Sequence, residues 1–494
     1  MTQSNLISPA TMEKQGKLNA IMIAIPYQGH VNPFVYLALK LASRGITVTF
    51  VHLEAAHRRL AKAHHGDDSA DFDPFVEPRA AGLDIRYATI TDGLDPIAYD
   101  RDLNFEEYWA MLNAEFTTQV DEFVGNTILA EPDLVYLMVT DTAFVWPAKV
   151  CEKHNIVNVS YWTQPALVFA LNYHFDLLKD HGHYMYSGEI DEEITYLPGI
   201  KSISTKDLNS VMKEPGELRI INSTTITAFE KVKKADFILQ NTVEELESEV
   251  MSALNKYQPN YAVGPVGFSK NLPFAGITTS LRSVSDCTDW LASKPPASVL
   301  YVSLGSFVNT NKELLTELAH GLLLSEVSFL WVIREGILGD VDADVLRQGY
   351  REELKDRGLI IPWVNQVKIL SDPAVGGFLT HNGWNSTVES IWCGVPMICY
   401  PMLFDQPTNR KLVVDEWKVG INLCDGAGVD RVEVAEKIKR FMREDVSERL
   451  RQQQIGKVRK TMQKALDEGG SSETNLDRFM ADLKAKTKGV TEIA

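Results

Sequence analysis

The sequence predicts an α/β protein built from two similar parallel-sheet domains, and three observations carry that prediction. Near the N-terminus the continuous apolar run IMIAIP leads into the helically spaced FVYLALKLASRG and then a β-branched run, ITVTFVH, which together make a β-α-β unit. The same grammar restarts far downstream at SVLYVSLGS and continues through GGFLT and VPMICYP. The chain's 494 residues exceed what one hydrophobic core usually organises. Repeated βα units on both sides of a dispersed polar stretch therefore imply two Rossmann-like domains with a ligand cleft between them.

Composition narrows the class. An apolar fraction of 45% with 23% charged residues is that of an ordinary globular protein. The net charge of −17 opposes nonspecific attraction to nucleic acid or anionic lipid. Cysteines 151, 287, 393, 399 and 424 are few, odd in number and free of CxxC pairs, which points away from a disulfide scaffold or zinc site and toward a reducing compartment. The opening MTQSNLISPATMEKQGKLNA lacks the apolar core of a signal peptide, and no later run reaches the ~20 apolar residues of a membrane span. A soluble, cytoplasmic protein without a membrane span is expected, with a monomer as the default.

In order along the chain, residues 1–18 are polar and expected to be flexible, and residues 19–266 form the first domain. Its first turn, PYQGHVNP, places His30 at the carboxyl end of a strand, the edge where open α/β sheets bind ligands. DLVYLMVT reads as a buried strand that delivers Asp141 to the same edge, with a cap of the next helix as the lesser alternative. VNVSYWTQPAL repeats the pattern with Thr163, which could also be a helix cap. The loops between His30 and residue 210, including IAYD, YWAML and FALNYHFDLL, are expected to line a small-molecule pocket. ADFILQNTVEELE reads as a strand followed by a helix with Asn241 near its start, and YAVGPV closes the domain. Residues 267–286 look like a linker, 287–470 form the second domain, and 471–494 a final helix. In the second domain Gly305-Ser306 ends a buried strand in a turn that can bring backbone amides near a phosphate.

Residues 363–406, WVNQVKILSDPAVGGFLTHNGWNSTVESIWCGVPMICYPMLFDQ, hold the densest chemistry. HNGWNSTVESIWCG is a Gly-punctuated turn opening a helix, so its backbone N–H groups point at an anion such as a phosphate. Trp363 is flat enough to stack on a base and Gln366 offers an amide to its edge, while His381, Asn385 and Ser386 gather donors at the helix start. Glu389, one turn beyond Ser386, can accept from two ribose hydroxyls, and Asp405-Gln406 offer groups for sugar hydroxyls.

This stretch resembles the C-terminal signature box of plant secondary-product UDP-glycosyltransferases, the family 1 enzymes of GT-B fold. The pattern from base-stacking Trp to closing Asp-Gln is matched over some forty residues, with departures at Val364-Asn365 and at Asn382, where the family often has Cys. The resemblance assigns UDP-sugar contacts to Trp363, Val364, Gln366, His381, Trp384, Asn385, Ser386, Glu389, Asp405 and Gln406, with Ser306 and Thr163 from flanking turns. It makes His30 the general base and Asp141 the carboxylate that orients it, with no cofactor and no metal; the UDP-sugar is a co-substrate. It implies an inverting transfer of a sugar, glucose by the family's association with Gln at position 406, to a hydroxyl of a flavonoid, phenolic or terpenoid. A C-glycosylating relative, or a catalytically silent homologue that binds a UDP-sugar or metabolite, is the alternative.

Other signals were weighed. Asp340, Asp342 and Asp344 alternate as in metal-binding Asp-x-Asp motifs but lie in a polar stretch outside the box, and SADFDPF is a second match of that kind. No GxGxxG or GxxxxGKS occurs, which removes the phosphate loops of dinucleotide oxidoreductases and P-loop enzymes. His57, His64 and His65 sit in HRRLAKAHHGDDSADFD, read as a surface loop.

Overall fold

The structure, a computed structural model, describes residues 16–65, 72–91, 93, 105–114, 116–185, 191–213, 218–268, 277, 279–305, 312–334, 348–424, 428–443 and 454–491. Most of the N-terminal stretch read as flexible, Ser306, the 340–344 acidic run and the IAYD segment lie outside these residues. Leu18, placed in that flexible stretch by sequence, already opens the first strand.

Two all-parallel sheets organise the chain. The first runs β3-β2-β1-β4-β5-β8-β9, from β1 (Leu18–Ile23), β2 (Thr47–Leu53), β3 (Ile85–Ile90), β4 (Val135–Asp141), β5 (Val157–Trp162), β8 (Phe237–Gln240) and β9 (Asn260–Ala262). Two-residue strands β6 (Glu193–Ile194) and β7 (Ile203–Ser204) form a separate antiparallel pair. The second sheet runs β12-β11-β10-β13-β14-β15, from β10 (Val299–Ser303), β11 (Ser328–Val332), β12 (Gly358–Ile361), β13 (Val375–Thr380), β14 (Met397–Cys399) and β15 (Gly420–Asn422). Their central strands are apolar on both faces because helices cover both sides, as parallel pairing requires. In each sheet the strand order reverses beside the first strand, between β1 and β4 and between β10 and β13. Such switch points open a crevice at the carboxyl edge.

Several contacts set one lobe against the other. The Trp384 indole N–H donates to the Asn241 carbonyl at 2.8 Å in a buried position, and Asn385 Nδ2 donates to the Gly29 carbonyl at 2.8 Å. Asn241 thus joins the lobes; a single 3-10 turn, Glu244–Leu246, follows it and the α-helix after β8 begins at Ser248. The segment Thr205–Met212 docks on the second lobe. Ser210 N–H donates to the Phe404 carbonyl, Phe404 N–H donates to Ser210 Oγ, Thr408 Oγ1 donates to the Asp207 carbonyl, and Arg410 pairs with the Asp207 carboxylate. Phe268 stacks on Trp392 with ring centroids 4.6 Å apart.

The Ser471–Thr491 helix packs on the first sheet through Leu476, Phe479, Met480 and Leu483. Ser472 Oγ donates to the Gly264 carbonyl at 2.6 Å, and Tyr261 OH donates to Asp482 at 2.6 Å. Glu473 meets Lys40 Nζ at 2.8 Å, with both side chains buried, and also pairs with Arg44. Two sequence readings are corrected. Residues 54–65 form a helix, not a loop, because Ala55, Ala56, Leu60 and Ala61 make an apolar face that buries; His57 is carried inward to Tyr87 OH at 2.9 Å. FALNYHFDLL is largely core, with Phe169 packed on Trp162 and Phe229, and of its residues only Asn172 reaches the cleft between the lobes as expected.

Removing the Glu473 carboxylate leaves the Lys40 ammonium buried without its partner. Glu473→Leu is expected to cost about 3 kcal/mol, read as a lowered denaturation midpoint, and Lys40→Met in the same chain is expected to recover most of the loss.

Candidate active site

The two switch points face each other across a cavity of about 780 Å³. Of the residues assigned by sequence, His30, Thr163, Trp363, Val364, Gln366, His381, Trp384, Asn385, Ser386, Glu389, Asp405 and Gln406 line it. Asp141 stands directly behind His30.

His30 lies in the first turn of the Gln28–Ser43 helix after β1, and Asp141 ends the neighbouring β4. Their Nδ1 and Oδ2 atoms are 2.6 Å apart, and Asp141 is 1% exposed. Asp141 Oδ1 accepts from the Ala143 N–H at 3.1 Å, so the carboxylate is held from both sides. The cap reading of Asp141 gives way: the next helix starts at Pro147 with Trp146 at its cap. Thr163 Oγ1 lies 3.4 Å from His30 Nδ1, and the cap of its following helix is Pro165. With Nδ1 engaged, Nε2 is the nitrogen left to act on a substrate. Burial opposes charging His30, yet the Asp141 carboxylate and, further off, Asp405 outweigh it and raise its pKa above the ordinary 6.5.

The opposite wall is the N-terminus of the Trp384–Cys393 helix, capped by Gly383. His381 sits between two glycines. A Cβ on Gly305 or Gly383 would come within 2.5 Å of its Nε2, and Gly305 has φ +90°, so glycine is required there on both counts. Burial, with the Arg334 charge adding to it, pushes His381 down to about 4. At neutral pH it is therefore a neutral imidazole, able to donate a hydrogen bond without carrying charge. Asn382, where the family often has Cys, takes φ +65°, a left-handed conformation that Asn adopts readily.

Trp363 donates from Nε1 to Ser280 Oγ at 2.9 Å. Gln366 Nε2 donates to Ser386 Oγ at 2.9 Å and to Glu389 Oε2 at 2.7 Å, while Tyr301 OH donates to Gln366 Oε1 at 3.1 Å. Burial lifts Glu389 to about 7, which the Gln366 hydrogen bond only partly offsets. Burial also lifts Asp405 to about 6, against the 2.6 Å bond it accepts from Asn409 Nδ2. Gln406 spends its carbonyl oxygen on the Met402 and Leu403 N–H groups, so its amide nitrogen is what remains for a ligand. Trp384 lines the cavity with its ring, but its indole N–H is committed to Asn241.

Sequence reasoning missed Gln28, which lies inside the quoted PYQGHVNP. Its Nε2 donates to the Thr279 carbonyl and its Oε1 accepts from the Leu281 N–H, both at 2.8 Å, fastening the His30 turn to the interdomain segment. Ser280, between those partners, is the residue that Trp363 meets. Adjacency to His30 was the available signal for Gln28; Ser280 carries none in the sequence. Among the described residues no group of three or more His, Cys, Asp or Glu could hold a metal ion.

Two sheets meeting at their switch points, with a His–Asp pair whose carboxylate is buried on one wall and a helix N-terminus on the other, define a two-domain GT-B glycosyltransferase architecture. A sequence model of the family described as UDP-glucoronosyl and UDP-glucosyl transferase matches residues 228–445. UDP-glycosyltransferase 86A1 of Arabidopsis thaliana is 44% identical over 476 residues, 95% of each chain. A 7-deoxyloganetin glucosyltransferase of Catharanthus roseus is 32% identical over 493 residues, covering 95% of this chain and 97% of its own. Among solved structures, Os79 of O. sativa in complex with UDP superposes with a TM-score of 0.77 at 25% identity, over 94% of this chain and 100% of that one. Phytolacca americana UGT2, complexed with UDP-2fluoro-glucose and pterostilbene, gives 0.75 at 25% identity, over 94% and 99%. The chain belongs to the plant UDP-glycosyltransferase family.

The environments of the two cleft histidines predict opposite titrations. In histidine-labelled NMR, His30 is expected to titrate above 6.5 and to fall below that value in Asp141→Asn, where burial is opposed only by Asp405, while His381 stays neutral down to about pH 4.

Proposed function

We propose that this protein transfers a sugar, glucose in the first instance, from a UDP-sugar to a hydroxyl of a small apolar plant metabolite such as a flavonoid, phenolic or terpenoid, inverting the anomeric centre. The observation that carries this reading is the 2.6 Å His30–Asp141 contact at the cleft wall, which fixes one imidazole nitrogen and leaves the other free to take a proton. The named glucosyltransferase relatives support the choice of sugar.

In this reading His30 Nε2 removes the proton of the acceptor hydroxyl as its oxygen attacks the anomeric carbon, and the carbon–diphosphate bond breaks on the opposite face. Asp141 stabilises the imidazolium that forms. Charge on the departing UDP is met from the other lobe by the N–H groups of the Trp384–Cys393 helix, by Asn385 and Ser386, and by the neutral His381 donor. Trp363 holds the base, Glu389 the ribose, and Asp405 with the Gln406 amide the sugar hydroxyls. No metal enters these steps. Five cysteines without disulfides and the lack, among described residues, of a helix long and apolar enough to cross a membrane support a cytoplasmic location.

Purified protein incubated with UDP-glucose, a mixed acceptor panel and a chelator is expected to yield acid-labile hexose adducts by mass spectrometry. His30→Ala is expected to keep UDP affinity and lose roughly 10²- to 10⁴-fold in turnover; unchanged turnover would remove His30 from the mechanism. Because its pKa is raised, His30 holds its proton to higher pH than an ordinary histidine. The rate should therefore climb through a midpoint above 6.5, and Asp141→Asn should lower both that midpoint and the plateau. Glu389→Gln is expected to weaken UDP binding roughly 10- to 100-fold, since a hydrogen bond to a carboxylate becomes one to a neutral amide.

A further inference from the structure

The first-lobe wall of the cavity is apolar where Val168, Val211 and Ile221 contribute to it, but two amides are set into it. Asn172 lies on the Ala166–Tyr173 helix and Asn209 precedes the short turn Ser210–Met212. They are 2% and 1% exposed. Their orientation follows from one backbone group. The Val211 N–H can only donate, and it donates to Asn209 Oδ1 at 3.1 Å. Asn209 must therefore turn its Nδ2 outward, where it donates to Asn172 Oδ1 at 3.1 Å. That contact in turn fixes Asn172 with its Nδ2 at the other end of the amide. Among the described residues no hydrogen bond uses Asn172 Nδ2, and the atom is absent from the fully enclosed polar atoms that lack a partner. It is open to the cavity, and Thr225 lines the cavity beside these residues.

A donor so placed is costly to leave unmet and selects for a ligand atom that meets it. We propose that Asn172, oriented by Asn209, is a specificity-determining residue for the acceptor. Its N–H recognises a carbonyl or ether oxygen on an otherwise apolar acceptor, at a position separate from the hydroxyl that receives the sugar. The acceptor class is thus an apolar skeleton with two oxygen functions, one a nucleophilic hydroxyl and one a hydrogen-bond acceptor. Asn209 is a positioning residue that acts through the amide of Asn172. The proposal rests on the reading of this cavity as the acceptor site, and it concerns recognition, not turnover.

The test is calorimetric titration of the protein–UDP complex with two matched compounds, 7-hydroxyflavone and 7-hydroxyflavan, which lacks the ring carbonyl. The wild-type protein is expected to bind the ketone roughly 10-fold or more tightly than its carbonyl-free partner. Asn172→Leu is expected to bring the two within about 2-fold while the flavan keeps its affinity, which also shows that the pocket is intact. Asn209→Asp gives an independent arm. A carboxylate still accepts from the Val211 N–H but cannot donate to Asn172, so the Asn172 amide turns over and presents its oxygen, and preference should move to 7-hydroxyflavan-4-ol. Equal binding of ketone and flavan by the wild type, an unchanged ratio in Asn172→Leu, no shift in Asn209→Asp, or no binding of either compound each overturns the proposal. Sugar transfer measured separately with UDP-glucose in place of UDP and the same hydroxylated compounds separates the two readings, since ketone preference without turnover on any acceptor would remove the transferase assignment and leave the recognition site standing.

Discussion

The buried hydrogen bond from the Trp384 indole to the Asn241 carbonyl sets the register of the two lobes, and the cleft depends on it. Trp384 is the first residue of the helix whose N-terminus forms one wall, and Asn241 directly follows β8 of the first sheet. The next residue, Asn385, reaches Gly29 beside His30. Two consecutive side chains thus fix where the start of this helix stands relative to the His–Asp pair. Both groups of the buried pair would be left without a partner if the lobes separated there, so the closed arrangement is favoured by the cost of unmet polar groups as well as by contact area.

The interdomain segment adds a second constraint. Gln28 holds Thr279 and Leu281, and Trp363 holds Ser280 between them. The Trp363 ring and the turn that carries His30 are therefore linked by hydrogen bonds to one short stretch of backbone. On the far side, Ser210 brackets the Phe404 peptide groups, and Phe404 adopts φ +56°, a conformation unfavourable for a bulky side chain unless its surroundings hold it. That bracket sets the direction of Asp405 and Gln406.

Electrostatics in the cleft come from burial and from local partners, not from net charge. The chain carries −17, yet the two cleft histidines are driven in opposite directions, His30 up by Asp141 and His381 down by burial. This separation suits one wall to take a proton and the other to donate hydrogen bonds without carrying charge. The raised carboxyls of Glu389 and Asp405 belong to the same dry environment, where a ligand hydroxyl would be the group that stabilises their ionised forms.

The sequence by itself determined the elements and most of the chemistry. Continuous apolar runs bounded by turns require strands covered on both faces, and the 363–406 box carries its residues on one strand–turn–helix unit, so their grouping is local and legible. His30 and Asp141 each follow such a run and could be placed on one edge of a sheet. What the tertiary structure decided are contacts between distant segments, for which spacing holds no signal: Gln28 with the interdomain segment, Asp207 with Arg410, Asn172 with Asn209, and Trp384 committed to Asn241 instead of a ligand. It also decided protonation, because the pKa of His381 or Glu389 follows from how completely the second lobe excludes water, a property of the folded cleft and of no single stretch of chain.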